Sequence, residues 1–292
     1  MSPRPGEDPG LRVRLFSPAK LNLELRALER RADGYRELDT EMVLLDFGDE
    51  LELARRPEPG VRLTLAGPAL TADIPDDERN LAVRAAQRVL AEHAARGGSG
   101  GLELHLLKRV PSGAGLGGGS SNAAAALRGA LELCGLEGDP AFGGSWRADV
   151  LAELGSDTVF FEAARDTGRA RCTGRGEVVE PLEPLPPDAR FQLATPEFHA
   201  GTAGVYGRLG ERRSAGSDAL AHTGSETNDL AAAAFDLEPR LAELQSALGS
   251  AWQLTGSGST FFKRGAGTDA ERAAHAWRLW TLARPWCAGG SA

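Results

Sequence analysis

Lys108-Arg-Val-Pro-Ser-Gly-Ala-Gly-Leu-Gly-Gly-Gly-Ser-Ser-Asn122 is the stretch on which the fold turns. Gly113, Gly115, Gly117, Gly118 and Gly119 remove the side chains that would keep a ligand away from the backbone. Just upstream, Leu102–Leu107 alternates apolar residues with Glu103 and His105, the period of a strand. Just downstream, an alanine-rich run from near Ser121 to about Gly135 reads as a helix. A strand, a glycine loop and a helix presenting free N–H groups and a positive dipole end make an anion cradle. Ser120 and Ser121 add hydroxyls that can cap the helix, bind phosphate or ligate Mg²⁺. A flexible linker is the plainer reading of a glycine run, and it suits Arg96–Gly101 (RGGSGG) nearby. The Ser-Ser-Asn ending has no purpose in a linker.

Working outward, the segment lacks the GxxxxGK[ST] pattern of a Walker A loop. It does hold GxGxxG at Gly113, Gly115 and Gly118. A dinucleotide-binding unit would next need a strand ending in an acid about 20 residues on, whereas the helix here runs into Gly135-Leu-Glu-Gly-Asp-Pro140. A nicotinamide-dependent oxidoreductase is therefore the second reading of the loop. Before the loop the chain is β-rich: Leu11–Phe16, Leu21–Leu25, Glu41–Leu45, Glu50–Arg55 and Val61–Ala66 read as strands, and Asn80–Ala95 as a helix. Residues 1–10 are rich in Pro and Gly and read as frayed. Pro181, Pro184, Pro186 and Pro187 mark a boundary, giving an expected N-terminal lobe 1–185 and C-terminal lobe 186–292. Beyond it Phe191–Thr195 reads as a strand, Gly207–Ser225 as a polar, mobile segment, Asn228–Leu248 as helical, and Gln253–Lys263 as strand, glycine loop, strand. The expected class is α+β (or α/β) in two lobes.

Composition narrows the function. Across 292 residues, 33 Lys+Arg against 41 Asp+Glu give a net charge of −8, which disfavours nucleic-acid binding. Cys134, Cys172 and Cys287 lie far apart, with no metal-ligand spacing, which suits a reducing cytoplasm. The chain shows no 18-residue apolar run and no leader-like opening, so neither a membrane nor an exported protein is expected.

Two further segments flank the glycine loop: Ser17-Pro-Ala-Lys-Leu-Asn-Leu23 and Leu254-Thr-Gly-Ser-Gly-Ser-Thr260. The three together resemble the motifs of the GHMP kinases. Within that superfamily, PAKLNL, Arg30–Leu38 (RRADGYREL), the strand ending Leu45-Asp46 and Leu154–Phe161 (LGSDTVFF) resemble the 4-diphosphocytidyl-2-C-methyl-D-erythritol kinases, over about residues 11–262. The resemblance implies a lobe like the second domain of ribosomal protein S5, a ferredoxin-like lobe and an active site in the cleft between them. It further implies ATP as donor, Mg²⁺, and the diphosphocytidyl methylerythritol as acceptor.

Carried over position by position, the resemblance makes Lys20 the cation near the acceptor hydroxyl and Asp157 the general base. It assigns Pro111, Gly113, Ala114, Gly115, Leu116, Gly117, Gly118, Gly119, Ser120, Ser121, Lys108 and Asn80 to ATP, with Ser120 the metal-side hydroxyl. Asn22, Tyr35, Arg36, Thr202, Gly256, Ser257 and Gly258 fall on the substrate side, with Asn228 a further position there. Each has a plainer reading: an exposed lysine, a helix-capping acid, surface polar groups, or a hairpin turn at 256–259. His199 and the two cysteines of the N-terminal lobe, Cys134 and Cys172, read as structural. The chain departs from the family at Ser156, Thr158 and Val159, and at Arg36, where a histidine is usual. A donor-only guanidinium there is expected to face the cytidine nucleotide part and select cytosine over uracil less sharply than His. Kinases for mevalonate, homoserine or sugars usually lack a DGY segment after the first motif. A GHMP-like protein that binds without catalysis would lose Lys20, Asp157 or the Ser120/Ser121 pair, and all are present.

Overall fold

The computed structural model describes residues 11–216, 228–266 and 279–288. The expectations for residues 1–10 and for 217–225 lie outside the described residues. The chain forms two compact units, each assembled from separate stretches. The first takes the chain up to Ala19, Phe47–Ser112 and Gly117–Arg165; the second takes Lys20–Asp46, Gly113–Leu116 and the chain from Asp166 onward. The proline-marked cut after residue 185 falls inside the second unit. Its flanking strand there pairs back onto residues near 170, so the prolines punctuate a loop within that unit.

The first unit draws on the outer parts of β1 (Arg12–Arg30) and β2 (Arg36–Arg56), then β3 (Gly60–Ala66), α1 (Leu81–Ala95), β4 (Gly101–Leu107), α2 (Gly118–Leu133), α3 (Gly144–Leu154) and α4 (Thr158–Ala163). β4 pairs parallel with β3 and antiparallel with Glu50–Arg56 of β2. Where the sequence suggested two strands for each of β1 and β2, the structure has one long strand. The alternation that marks a strand lapses because Ser17–Leu23 is buried continuously, so there is no solvent-facing polar residue to read. Helix α2 packs hard on this sheet: its alanines 123–126 are fully buried, and a Cβ on Gly129 would meet Leu53 Cδ1 at 2.7 Å and Leu15 Cδ1 at 2.9 Å. Larger residues on that face would force the helix off the sheet.

The second unit contains β5 (Arg169–Gly174), β6 (Val178–Pro181), β7 (Phe191–Thr195), α5 (Thr202–Ser214), α6 (Ala231–Leu237), α7 (Pro239–Leu248), β8 (Gln253–Leu254), β9 (Phe261–Arg264) and β10 (Leu279–Ala283). β5 pairs antiparallel with β6 and with Leu38–Val43 of β2. A separate antiparallel sheet runs β10-β7-β9-β8. Its core includes Trp252, Phe261, Leu241 and Val205. Two helical expectations need correction. Residues 228–248 form two helices, because Glu238 (φ −132°, ψ 84°) precedes Pro239, which lacks an N–H and disfavours helical geometry before it. Residues 207–214, read as part of a polar, mobile segment, instead continue α5 through buried Val205 and Leu209, with Arg212 and Arg213 in its last turn.

Candidate active site

In the first unit, α2 begins three residues earlier than the sequence suggested. Gly117 occupies the N-cap at φ 70°, a left-handed conformation open to glycine, so Gly118, Gly119 and Ser120 fill the first turn. Their N–H groups are the ones an α-helix leaves unpaired. Neither serine caps the helix. Ser121 is buried, with its Oγ 2.8 Å from Ser17 Oγ, and Ser17 donates to Asn122 Oδ1 at 2.7 Å. The first motif is thereby tied to the glycine loop's helix, and Ser120 is left as the half-buried hydroxyl of the pair.

Beneath this turn lies Lys108. A Cβ on Gly118 would sit 3.3 Å from Lys108 Nζ and 3.0 Å from Val110 Cγ1. The ammonium donates to Asp49 Oδ2, while Asp49 Oδ1 accepts from the N–H groups of Arg109 at 2.6 Å and Val110 at 2.8 Å. Asp49 is wholly buried, so one carboxylate holds both the lysine and the backbone at the root of the glycine loop. Sequence reading missed it because Asp46, Asp49, Glu50 and Glu52 lie close together and spacing does not separate them. Removing one partner of a buried pair leaves an uncompensated charge, so Asp49→Ala should cost about 3–5 kcal/mol of stability in denaturant titration. A cost of about 0.5 kcal/mol, typical of a surface change, would contradict that placement.

Asn80 caps α1: its Oδ1 accepts from Ala82 N at 3.0 Å, and its Nδ2 donates to Pro75 O at 2.8 Å. Asp157 stands at the start of α4 without making a side-chain cap bond. The departure at Thr158 supplies a brace, since its hydroxyl lies 2.5 Å from Leu151 O and 2.6 Å from Gly155 O. A Cβ on Gly155 would approach Ser120 Oγ to 4.0 Å, so the loop bearing Asp157 passes beside the first turn of α2.

The second unit assembles the remaining motif residues. Lys20, buried in β1, donates from Nζ to Asn22 Oδ1 at 2.5 Å, and Asn22 Nδ2 donates to Thr40 Oγ1 at 2.8 Å. The Asn22 N–H donates to Thr255 Oγ1 at 2.8 Å. The Lys20 N–H donates to Leu116 O at 3.0 Å and that of Thr260 to Ala114 O at 3.2 Å, so residues 114–116 are clasped by both flanking motifs. Gly115 (φ 76°) is required there: a Cβ would meet Thr255 O at 2.5 Å. Residues 255–260 do join β8 and β9 as a hairpin, the plainer reading, and they also touch Asn22 and Thr202. A Cβ on Gly256 would lie 3.3 Å from Asn22 Oδ1, and Thr202 Oγ1 is 2.8 Å from Ser257 Oγ. Asn228 Nδ2 pins the loop through the carbonyls of Leu254 and Gly256, at 2.8 Å each. His199, set aside as structural, is exposed with its ring 3.3 Å from the position a Gly113 Cβ would take.

At the β1–β2 turn, Tyr35 is 54% exposed, more open than expected, with the Arg175 guanidinium 5.0 Å from its ring centre. Arg36 does not face open solvent; its Nη1 donates to Leu28 O at 3.3 Å. No helix among the described residues is long and apolar enough to cross a membrane.

Comparison with known proteins agrees with this arrangement. The model of the GHMP kinases N terminal domain matches residues 80–156, from the α1 cap past the glycine loop. A 4-diphosphocytidyl-2-C-methyl-D-erythritol kinase of Desulfotalea psychrophila is 37% identical over 265 residues, covering 86% of this chain and 85% of that protein. The enzyme of the same name from Protochlamydia amoebophila is 37% identical over 262 residues, covering 87% and 85%. A crystal structure of 4-(cytidine 5'-diphospho)-2C-methyl-D-erythritol kinase superposes with TM-score 0.70 at 32% identity, covering 94% of this chain and 100% of that one. Methanococcus jannaschii mevalonate kinase, at 13% identity, shares the fold with TM-score 0.61 over 95% of this chain and 99% of its own. With a two-unit α+β fold, the three motifs built into it and this degree of identity along most of its length, the chain belongs to the 4-diphosphocytidyl-2-C-methyl-D-erythritol kinase family of GHMP kinases.

Proposed function

We propose that this kinase transfers the γ-phosphoryl group of ATP to the 2-hydroxyl of 4-diphosphocytidyl-2-C-methyl-D-erythritol, a step toward isoprenoid precursors by the non-mevalonate route. The observation that carries the reading is the pairing of Lys20 with Asn22 against the clasped residues 114–116, together with identity to relatives bearing that name. Gly117–Ser121 and Lys108 take the phosphates, which approach backbone N–H groups at the α2 N-terminus. Asp157 accepts the proton of the 2-hydroxyl as its oxygen attacks the γ-phosphorus; the bond to the β–γ bridging oxygen breaks and ADP leaves. Lys20 supplies positive charge where charge moves onto oxygen, and Asn22 fixes its ammonium. Thr202, Gly256, Ser257 and Gly258 border the acceptor, and Tyr35 offers an open ring face to the cytosine. Mg²⁺ carried by ATP would neutralise phosphate charge, and the half-buried Ser120 hydroxyl suits it better than Ser121, which is engaged with Ser17. Asn80 contributes by fixing the start of α1. Three cysteines that form no disulfide among the described residues suit the cytoplasm as its compartment.

The test is ADP release with ATP and a panel of acceptors: the cytidine substrate, mevalonate, homoserine and a hexose. Turnover with the first alone is expected; turnover with another alone would overturn the assignment. Within that assay Lys20→Met should lower kcat, because its charge acts in the transition state, and leave KM within several-fold. A change in KM alone would make Lys20 a binding residue.

A further inference from the structure

A carboxylate at the end of α4 ties three helices of the first unit together. Glu162 Oε2 accepts from Arg128 Nη1 of α2 at 2.7 Å, and Glu162 Oε1 accepts from Arg147 Nη1 of α3 at 3.1 Å. Arg147 is anchored in turn: its Nη2 donates to both Glu137 oxygens at 2.9 Å, and its Nε to Phe142 O at 2.9 Å. The side chains of Arg128, Arg147 and Glu162 are at most 17% exposed. Arg128 lies deepest; burial pushes its pKa below the ordinary value, and the Glu162 carboxylate opposes that.

An ion pair buried this far adds little stability over an apolar pair of similar volume, because desolvation offsets the attraction. What guanidinium–carboxylate bonds supply is fixed orientation. Helix α4 needs that. It has six residues, too few to hold a helix alone, and its buried Val159, Phe160 and Phe161 give adhesion without direction. Asp157 immediately precedes it, five positions and roughly 7.5 Å of helix before Glu162. The Asp157 loop is held at the front by the Thr158 hydroxyl on Leu151 O and Gly155 O, and passes beside Ser120 in the first turn of α2. Glu162 closes the same frame at the back, against Arg128, about two turns further along α2. We infer that Glu162 is a positioning residue for phosphoryl transfer: held by Arg128 and Arg147, it sets the loop that carries Asp157 against the turn of α2 that takes the phosphates. The inference rests on the roles proposed for Asp157 and for that turn.

Steady-state kinetics and thermal melts of Glu162→Gln and of the double variant Arg128→Met/Glu162→Leu test this. Glu162→Gln keeps the shape and removes the charge. It should lower kcat about tenfold or more, since misplacing a reacting group by about 1 Å can cost about 10²-fold, and leave both KM values within about twofold. That variant also strands the Arg128 charge, whereas the double variant removes both charges at similar volume. The double variant should melt at or above the wild-type temperature and still show the low kcat. Recovery of kcat together with Tm would make the network a stability device and overturn the inference, as would loss of folding in both variants or a change confined to KM. In an Asp157→Asn background, Glu162→Gln should deepen the loss by less than about twofold, because both residues serve one step. A full further loss there overturns the route through Asp157. Near-normal turnover in Asp157→Asn alone marks a failure of the base assignment, whereas normal kcat in Glu162→Gln beside an impaired Asp157→Asn sinks the positioning role alone.

Discussion

Asp157→Asn should lower kcat by about 10²–10⁴, the range expected on loss of a positioned general base, and leave the affinities for ATP and acceptor within several-fold. The amide preserves the shape of the carboxylate but cannot take the proton of the attacking hydroxyl. The loop that presents residue 157 is braced by Thr158 against Leu151 and Gly155, and that bracing does not involve the carboxylate. A thermal melt of the variant beside the rate measurement separates lost chemistry from lost folding. Near-normal turnover in this variant would remove Asp157 from the mechanism. In that case Asp157 would be an ordinary acid at the start of a short helix.

Gly117→Val should abolish measurable ATP binding at concentrations that saturate the wild type. At φ 70° a β-branched residue is a steric outlier, with strain of about 1–3 kcal/mol. Such strain is smaller than the 5–15 kcal/mol that typically holds a domain together, so the chain should fold while the N-cap shifts. Shifting it misaligns the N–H groups of Gly118, Gly119 and Ser120 that the phosphates would use. Gly119→Ala separates strain from crowding, since its Cβ would meet nothing nearer than Leu81 Cδ1 at 3.9 Å. That variant should keep its stability, and any fall in ATP affinity would measure how closely a phosphate approaches. Unchanged affinity in Gly117→Val would return the loop to the role of a linker.

The glycine loop, its flanking strand and helix, and the two companion motifs were readable because each depends on local chemistry: glycine freedom, alternation and order along the chain. What sequence left hidden depended on contacts made at long range. Ser121 reads as a cap, yet it is engaged by Ser17, 104 positions earlier. Asp49 carries no local signature, and only the fold brings Lys108 and the 109–110 amides onto its carboxylate. Residues 207–214 look irregular because Gly207 and Gly210 interrupt the helical pattern, but Val205 and Leu209 anchor the helix in a core. Gly210 in turn is where Arg36 lies across α5, a contact that a local reading of the DGYR turn could not supply. The two units likewise interleave along the chain, so no single composition shift marks them.

The most direct test of the account is the identity of the product. Wild-type protein, ATP with Mg²⁺ and 4-diphosphocytidyl-2-C-methyl-D-erythritol should be followed by phosphorus NMR alongside ADP release. The account predicts one new phosphomonoester resonance, assigned to the 2-position, growing in step with ADP while the diphosphate linkage stays intact. ADP formation without that resonance, or a phosphomonoester appearing only when mevalonate or homoserine replaces the cytidine compound, would contradict it.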